Sequence, residues 1–436
     1  SIRNVGPAGM SGRITAIDVV NSAPNHIYIG SASGGVWEST DGGVEWNPIF
    51  DDQPSLAIGA IKINQQNPSE IWVGTGEGNP RNSQNSGKGI FRSLDGGRTW
   101  MHMGLSETKV IHRILIDFHE PSTIYVGAGG SPWNPTMERG VYKSTDSGKT
   151  WSKILYSNDR SGVGDLIMDP GNPRKIIAAL YEHMRTPWDF VSGGAGSGLY
   201  ITYDGGEKWK KISADDGLPA GHLGRIGLAL SPSKPNIVYA LVEAKENGLY
   251  KSTDGGEHWS LVTTNNIGNR PFYYHEIYVD PKNENRLWNL FSYVSKSEDG
   301  GRTFETILDY GKGVHPDHHA FWIHPDNPDY IIDGNDGGLN ISRDGGRNWY
   351  FCANIPVGQF YHLNVDLDYP YNLYGGMQDN GSWVGPAFSL KAGGIRNQDW
   401  RELYFGDGFD VLPKLSDTRY GWAMSQGGNL TFYDRE

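Results

Sequence analysis

Hydrophobic and polar residues alternate in short runs along most of the chain. The first four runs cover residues 14–20, 26–30, 35–39 and 46–50, and Gly, Asn, Asp or Pro residues separate them. Alternation over four to eight residues with such boundaries is typical of β-strands. No stretch sustains a period of 3.6 residues, so we predict an all-β protein with few helices.

A phrase of eight residues recurs seven times, running from a Ser or Thr through Asp-Gly-Gly, or Asp-Ser-Gly once, to a Trp or Phe. Its aspartates lie 45 to 58 residues apart. They are Asp41, Asp95, Asp146, Asp204, Asp254, Asp299 and Asp344. Asp-Gly favours a hairpin turn, which we place between the third and fourth strands of each repeat. We interpret these aspartates as structural turn residues and the following aromatic ring as packing between sheets.

Four-stranded units of this length, repeated around a ring, form a β-propeller. We predict a seven-bladed propeller of antiparallel blades over residues 1–355, with residues 2–5 completing the last blade. Later runs resemble the first two strands of two more units that lack the Asp phrase. These runs are residues 358–366, 371–376, 409–412 and 420–423. Residues 356–436 are thus predicted to be the first two blades of a second, incomplete propeller, so that the chain is a fragment or needs a partner to cover its strand edges.

Composition narrows the classes of function. The 436 residues carry a net charge of -12 without a basic block, which disfavours a general nucleic-acid partner. A single cysteine, Cys352, excludes an internal disulfide and a cysteine zinc site. No apolar run is long enough to cross a bilayer directly. We expect no cofactor, and a secreted, periplasmic or cell-surface location from which a signal segment has been removed.

The repeated phrase resembles the Asp-box, or bacterial neuraminidase repeat, of sialidases, sortilin-type receptors, family 74 xyloglucanases and photosystem assembly factors. Nearly the whole chain is similar to large secreted bacterial proteins known as sortilin-N-terminal or "glycosyl hydrolase" repeat proteins, and more distantly to the xyloglucanases. The resemblance implies two seven-bladed propellers in the full protein but no single activity. The stretches that carry it are residues 3–7 with 12–13, residues 317–322 and residues 374–383.

A four-stranded meander places its first-to-second and third-to-fourth turns at one end and its other connections at the opposite end. The Asp-boxes therefore lie away from the second-to-third loops, which differ most between repeats and are the expected place for function. The ligand-face candidates are Glu77, Arg81, Trp133, Glu138, Glu182, Arg185, Trp188, Asp189, Asp336 and Asp379. Exposed Trp with Arg and carboxylates suits a glycan. The alternative is that these loops cap the ring or contact the second propeller.

A glycoside hydrolase needs two carboxylates, one of them protonated. The family 74 resemblance implies one catalytic Asp in a Thr-Asp-Val-Gly-Gly setting, which falls on Ser31-Ala-Ser-Gly-Gly35 and so on Ala32. It implies the second Asp at Asp379. Because Ala32 cannot activate water, this mechanism would need a substitute such as Glu77 or Asp336.

The sequence gives less support to a sialidase or to a metal site than to a glycan-binding protein. Arg13-Ile14-Thr15 lacks the Pro of the sialidase pattern, and Tyr273 and Tyr274 read as ordinary strand residues. His318 and His319 would point to opposite faces of a strand, so we interpret them as structural rather than as metal ligands.

Our first hypothesis is therefore a secreted or cell-surface binding or scaffold protein that presents its loop face to a glycan or protein partner. A membrane-anchored complex is one such protein partner. The alternative is a glycoside hydrolase acting on a β-glucan such as xyloglucan at the seam between two propellers, with Asp379 as the acid and the base unassigned.

Overall fold

The computed structural model describes residues 5–6, 10–81 and 84–436, so nearly all of the strand predicted at residues 2–5 lies outside the described residues. The chain divides into two compact units. The first unit comprises residues 15–334 and 340–350, and the second comprises residues 1–14, 335–339 and 351–436. The boundary after residue 355 stays a prediction.

Seven antiparallel sheets make up the described part of residues 14–351, and each follows chain order in a simple meander. Six have four strands, and one has a fifth strand, β15, beside β14. The strands are β1 (Ile14–Val19), β2 (Ile27–Ser31), β3 (Val36–Ser39), β4 (Asn47–Pro48); β5 (Ile58–Ile63), β6 (Ile71–Thr75), β7 (Ile90–Ser93), β8 (Met101–His102); β9 (Ile111–Ile116), β10 (Ile124–Ala128), β11 (Gly140–Ser144), β12 (Ser152–Leu155); β13 (Ser161–Asp169), β14 (Asn172–Arg185), β15 (Phe190–Ser192), β16 (Gly198–Thr202), β17 (Lys210–Ile212); β18 (Ile226–Leu230), β19 (Val238–Val242), β20 (Gly248–Ser252), β21 (Ser260–Thr263); β22 (Glu276–Asp280), β23 (Asn283–Leu290), β24 (Val294–Ser297), β25 (Glu305–Leu308); β26 (His318–Ile323), β27 (Ile331–Asn335), β28 (Gly338–Ser342) and β29 (Tyr350–Phe351).

The core lies between successive sheets rather than within one central layer. Between the first two sheets, Phe50 meets Phe91 and Trp100 edge-on, with ring centres 5.3 and 5.0 Å apart. The last sheet of the first unit also contacts the first sheet, because the Tyr330 hydroxyl donates to the Pro24 carbonyl at 3.0 Å. The all-β propeller predicted from the strand pattern is confirmed.

Each of the seven repeated phrases that resemble the Asp-box, which we call boxes, forms a turn held by its own aspartate. In the second sheet, the Asp95 carboxylate accepts hydrogen bonds from the Ser93 hydroxyl and from both the hydroxyl and the N–H of Thr99, at 2.7 to 2.9 Å. These bonds, with that from the Thr99 hydroxyl the strongest, lower the pKa of Asp95 to about 2. In all seven boxes the carboxylate accepts the N–H four residues further on.

The residue after each box aspartate ties the turn to the neighbouring first-to-second turn of the same sheet. Gly42, for example, has a φ of 81° and donates its N–H to the Asn25 carbonyl at 2.9 Å. The third box has Ser147 at this position, with a φ of 62° and the same kind of bond to Ser122. The box turns therefore share one end of each sheet with the first-to-second turns, which leaves the second-to-third loops at the other end.

The second unit contains more strands than the sequence pattern predicts. Its first sheet has four strands and its next has three, whereas we expected two in each. They are β30 (Phe360–Val365), β31 (Asn372–Met377), β32 (Ser382–Pro386), β33 (Arg401–Tyr404); β34 (Gly408–Pro413), β35 (Tyr420–Ser425) and β36 (Asn429–Asp434). The prediction missed β32, β33 and β36 because no Asp-box marks the turn that precedes a fourth strand.

The described residues contain only short 3₁₀ turns as helical structure. None of the helices in those residues is long or apolar enough to cross a membrane.

Replacing a box tryptophan should destabilise the propeller strongly. Trp259 is 4% exposed within the cluster between the fourth and fifth sheets, so Trp259→Ala is expected to cost about 3–5 kcal/mol of unfolding free energy. Denaturant unfolding measures this, and Trp188→Ala is the control because Trp188 is 84% exposed. Equal losses for the two variants would contradict the packing role.

Candidate functional site

Glu77 and Asn79 belong to a loop that folds inward after β6. Glu77 is fully buried, and its carbonyl accepts from the Gln84 side chain, so the side chain is not on the accessible ligand face where we predicted it. A side chain on Gly78 would overlap the His112 ring, which shows how closely the loop lies on the inner strand below. Asn79 contacts Arg225 at 3.0 Å and His319 at 3.3 Å. Glu77 and Asn79 are thus part of the interior.

Arg81, in the same loop between β6 and β7, reaches the connection before β22. Its guanidinium donates to the Tyr273 hydroxyl, and its central carbon lies 4.7 Å from the centre of the Tyr273 ring. Tyr273 and Tyr274 are buried in this connection rather than in a strand, which corrects the sequence interpretation. Arg81 and Tyr273 are 192 residues apart in the chain, so no local pattern could have paired them.

The longest predicted loop is in fact a β-hairpin. β14 runs beyond its sheet and pairs with β15, with Arg185 opposite Phe190 and His183 opposite Ser192. Trp188 stands at the tip and is 84% exposed, with Asp189 exposed beside it.

Glu182, lower on this hairpin, has a structural role. Its carboxylate accepts from the Asn158 amide at 3.1 Å and from the Gly196 N–H at 2.7 Å. Glu182 thereby fixes the base of the hairpin and leaves Arg185, Trp188 and Asp189 as its outward residues.

Trp133 and Glu138 lie in the loop between β10 and β11 and are both half-buried. A residue that the sequence did not single out organises this loop. Arg139 is buried, and its guanidinium donates to the carbonyls of Gly129, Ser131 and Asn134. Burial lowers the pKa of Arg139 to about 10, so the side chain remains a cation at neutral pH.

The inner strands of the first unit carry a buried ion network that sequence analysis missed. The Arg113 guanidinium contacts Asp165 and Glu276, each at 2.7 Å, and Arg225 contacts Glu276 at 3.2 Å. Each charge has an opposite partner, as buried ions require.

The histidine pair behaves as the strand alternation predicted. His318 Nδ1 lies 2.8 Å from Asp333, whereas His319 Nδ1 faces Asn79. Across the residues that the structure describes, no group of three or more His, Cys, Asp or Glu side chains is close enough together to hold a metal ion.

In the second unit, Asp379 occupies the tight turn between β31 and β32. Its φ is 59°, a left-handed conformation that is costly for most residues other than glycine. Its carboxylate is 23% exposed and lies 3.5 Å from Arg13. Arg13 also contacts Asp336 at 2.6 Å, and neither side chain of that pair is exposed. Asp336 is therefore buried against Arg13 rather than presented on the ligand face as we predicted.

Two more carboxylates surround this turn, and the sequence pattern had singled out neither. Asp407 accepts the Asp379 N–H at 2.8 Å. Glu402 reaches over the turn, since a methyl group on Gly381 would lie 2.5 Å from its carboxyl oxygen. Glu402 is an exposed residue, and partial desolvation of its carboxyl group raises its pKa, which favours the protonated form. We call Asp379, Glu402 and Asp407 the carboxylate cluster.

Ala32, where the family resemblance implied the other catalytic carboxylate, follows β2 and is fully buried in the first unit. The first unit thus offers neither a carboxylate nor an exposed side chain at this position.

A family model described as sortilin, neurotensin receptor 3 matches two overlapping stretches, residues 88–217 and 139–289. Curated relatives at 24% identity are xyloglucanases. The enzyme Xgh74A of Acetivibrio thermocellus aligns over 356 residues, 71% of this chain and 40% of that enzyme. A xyloglucanase of Paenibacillus sp aligns over 348 residues, 71% of this chain and 32% of that enzyme. The chain therefore spans less than half the length of these relatives.

Solved structures with a similar fold include a GH74 enzyme of Niastella koreensis, with a TM-score of 0.66, 18% identity and coverage of 99% of this chain and 66% of that one. The GH74 xyloglucanase of Xanthomonas campestris has a TM-score of 0.64 at 15% identity, and the match covers 99% of this chain and 74% of that one. YCF48 of Cyanidioschyzon merolae has a TM-score of 0.51 at 15% identity, and the match covers 77% of this chain and 97% of that one. These similarities support a β-propeller family and show the propeller fold.

Arg13 should be essential to the second unit because it neutralises buried Asp336. Arg13→Met removes the cation 2.6 Å from that buried carboxylate and is expected to cost about 3–5 kcal/mol. Combining it with Asp336→Leu removes the buried negative charge as well and should recover much of the loss. Denaturant unfolding of both variants measures this, and a double variant as unstable as the single one would show that packing, not charge, explains the effect.

Proposed function

We propose that this protein binds a xyloglucan-like β-glucan and hydrolyses it, with Asp379 as a catalytic carboxylate. The observation that carries the proposal is the carboxylate cluster: one partly exposed Asp in a strained turn, with two further carboxyl groups beside it. The similarity to xyloglucanases over 71% of the chain supports the same class of substrate.

The cluster offers the two roles that glycosidic hydrolysis requires. A carboxylic acid must hold its proton to protonate the leaving oxygen, and a carboxylate must act as base or nucleophile. The raised pKa of Glu402 suits the acid. Asp379, which is partly exposed and lies 3.5 Å from the Arg13 guanidinium, suits the carboxylate. Asp407 holds the Asp379 backbone through its N–H and so positions that residue.

Asp379→Asn should abolish hydrolysis while the fold is retained, because Asn also tolerates a left-handed backbone. The assay measures new reducing ends on xyloglucan and on unbranched β-glucans. Asp417→Asn is the matched control, since Asp417 is an exposed turn residue in the next sheet of the same unit. Full turnover by Asp379→Asn would remove this residue from the mechanism.

Glu402→Gln separates the two roles within the same assay. If Glu402 is the acid, the activity of the unaltered protein falls as the pH rises through the raised pKa of Glu402. The activity that remains in the variant should not show this fall at high pH. An unchanged pH profile would instead assign the acid to another group.

Binding without hydrolysis is the second candidate, and Ala32 favours it. This is our first hypothesis from the sequence, a secreted or cell-surface protein that presents its loop face to a glycan or protein partner. The extracellular location and a protein partner stay predictions.

For this candidate, Trp188→Ala should weaken glycan binding without changing thermal unfolding, because the ring is exposed and suited to stacking on a sugar. Isothermal titration with xyloglucan oligosaccharides and a thermal melt test it together. Unchanged affinity, or a large drop in melting temperature, would show that Trp188 is not a binding residue.

A further inference from the structure

Three arginines from separate parts of the first unit meet at the end of the sheets that lies opposite the Asp-boxes. Arg81 follows β6, Arg185 ends β14, and Arg270 lies in the connection between β21 and β22. Second-to-third loops and sheet-to-sheet connections lie at this same end of a meander. We call Arg81, Arg185 and Arg270 the arginine patch.

Aromatic rings join the three guanidinium groups. The central carbons of Arg81 and Arg270 lie 4.7 and 5.3 Å from the centre of the Tyr273 ring. Arg270 is also 5.6 Å from the Phe272 ring. Arg81 and Arg270 therefore share the Tyr273 ring.

Arg185 enters the patch through a second pair of rings. Its central carbon lies 4.9 Å from the centre of the Phe190 ring, and Phe190 meets Phe272 edge-on with ring centres 4.9 Å apart. Arg185 and Phe190 are also paired across the β14–β15 hairpin. The third guanidinium is thus held by a rigid hairpin rather than by a flexible loop.

The three cations repel one another. Burial, followed by the charges of Arg81 and Arg270, lowers the pKa of Arg185. This local positive charge occurs in a chain whose net charge is -12, so it is not part of a generally basic surface.

We propose that the arginine patch binds the carboxylate of an acidic sugar residue within a polysaccharide. The planar guanidinium matches a carboxylate through two parallel hydrogen bonds, which a lysine cannot make. Trp188, at the tip of the hairpin that carries Arg185, is 84% exposed and offers a flat apolar surface to a sugar ring. The proposal rests on the glycan recognition proposed above and extends the bound glycans from neutral xyloglucan to polysaccharides that carry uronic acids.

Isothermal titration with oligogalacturonates and with neutral xyloglucan oligosaccharides of similar length tests the patch on the whole chain. We expect the oligogalacturonate to bind more tightly, with an affinity that falls as salt rises. Arg185→Gln and Arg270→Gln should each weaken this binding about tenfold or more, which is the effect of losing about 1.4 kcal/mol. Arg174→Gln is the matched control because Arg174 lies exposed near the opposite end of β14.

Several results would overturn the proposal. Arg185→Gln and Arg270→Gln proteins that bind the uronate as tightly as the unaltered protein would exclude the patch. Tighter binding of dextran sulfate oligosaccharides would assign it to sulfate instead of carboxylate. Full affinity in Arg185→Lys would show that charge alone suffices and that the planar contact is absent.

Thermal melts of each variant identify misfolding, and the exposed Arg270 offers a second position if Arg185 variants are unstable. The outcome is distinct from that of the hydrolase assay. A chain that releases no reducing ends from any glucan but binds oligogalacturonate through Arg185 would contradict hydrolysis and support the patch.

Discussion

The hydrogen-bonded Asp-box turn is the constraint on which the first unit depends. One carboxylate satisfies the N–H groups of the turn, and the next residue, in a left-handed conformation, bonds to the adjacent turn of the same sheet. This arrangement fixes the third and fourth strands relative to the first and second. The box aromatic residue then packs on the preceding sheet, as Trp100 does when its indole N–H donates to the Ile49 carbonyl at 2.7 Å. Local turn chemistry and packing between sheets are therefore coupled in each repeat.

Because these hydrogen bonds hold the box end of every sheet in the first unit, the differences between loops are concentrated at the other end. There the loops differ in kind as well as length. The loop after β6 folds inward onto His112, Arg139 organises the loop after β10, and β14 and β15 form a projecting hairpin. A repeated scaffold with individual loops is the arrangement in which proteins commonly place recognition.

Features that depend on local sequence could be predicted, and those that depend on distant contacts could not. The strand order follows from alternation and turn residues, and the opposite orientation of His318 and His319 follows from the period of a strand. In contrast, the Arg81–Tyr273 contact joins residues 192 positions apart. Glu402 lies opposite Trp383 in the pairing of β32 with β33, beside a register shift that no sequence pattern marks. The three strands of the second unit that the prediction missed, β32, β33 and β36, show the same limit, since the repeated Asp phrase is absent there.

The two proposed sites rest on opposite electrostatic arrangements. In the second unit, carboxyl groups gather around one turn, and the nearby Arg13 cation is already bonded to buried Asp336. In the first unit, guanidinium groups gather around aromatic rings, where each cation gains a favourable contact with a π-face without losing its charge. Carboxyl groups with different proton affinities suit bond cleavage, because one must donate a proton and another must not. Permanently charged arginines cannot exchange protons near neutral pH, so they suit recognition. The chemistry of each cluster is the reason why we propose catalysis for the second unit and recognition of an anionic sugar for the first.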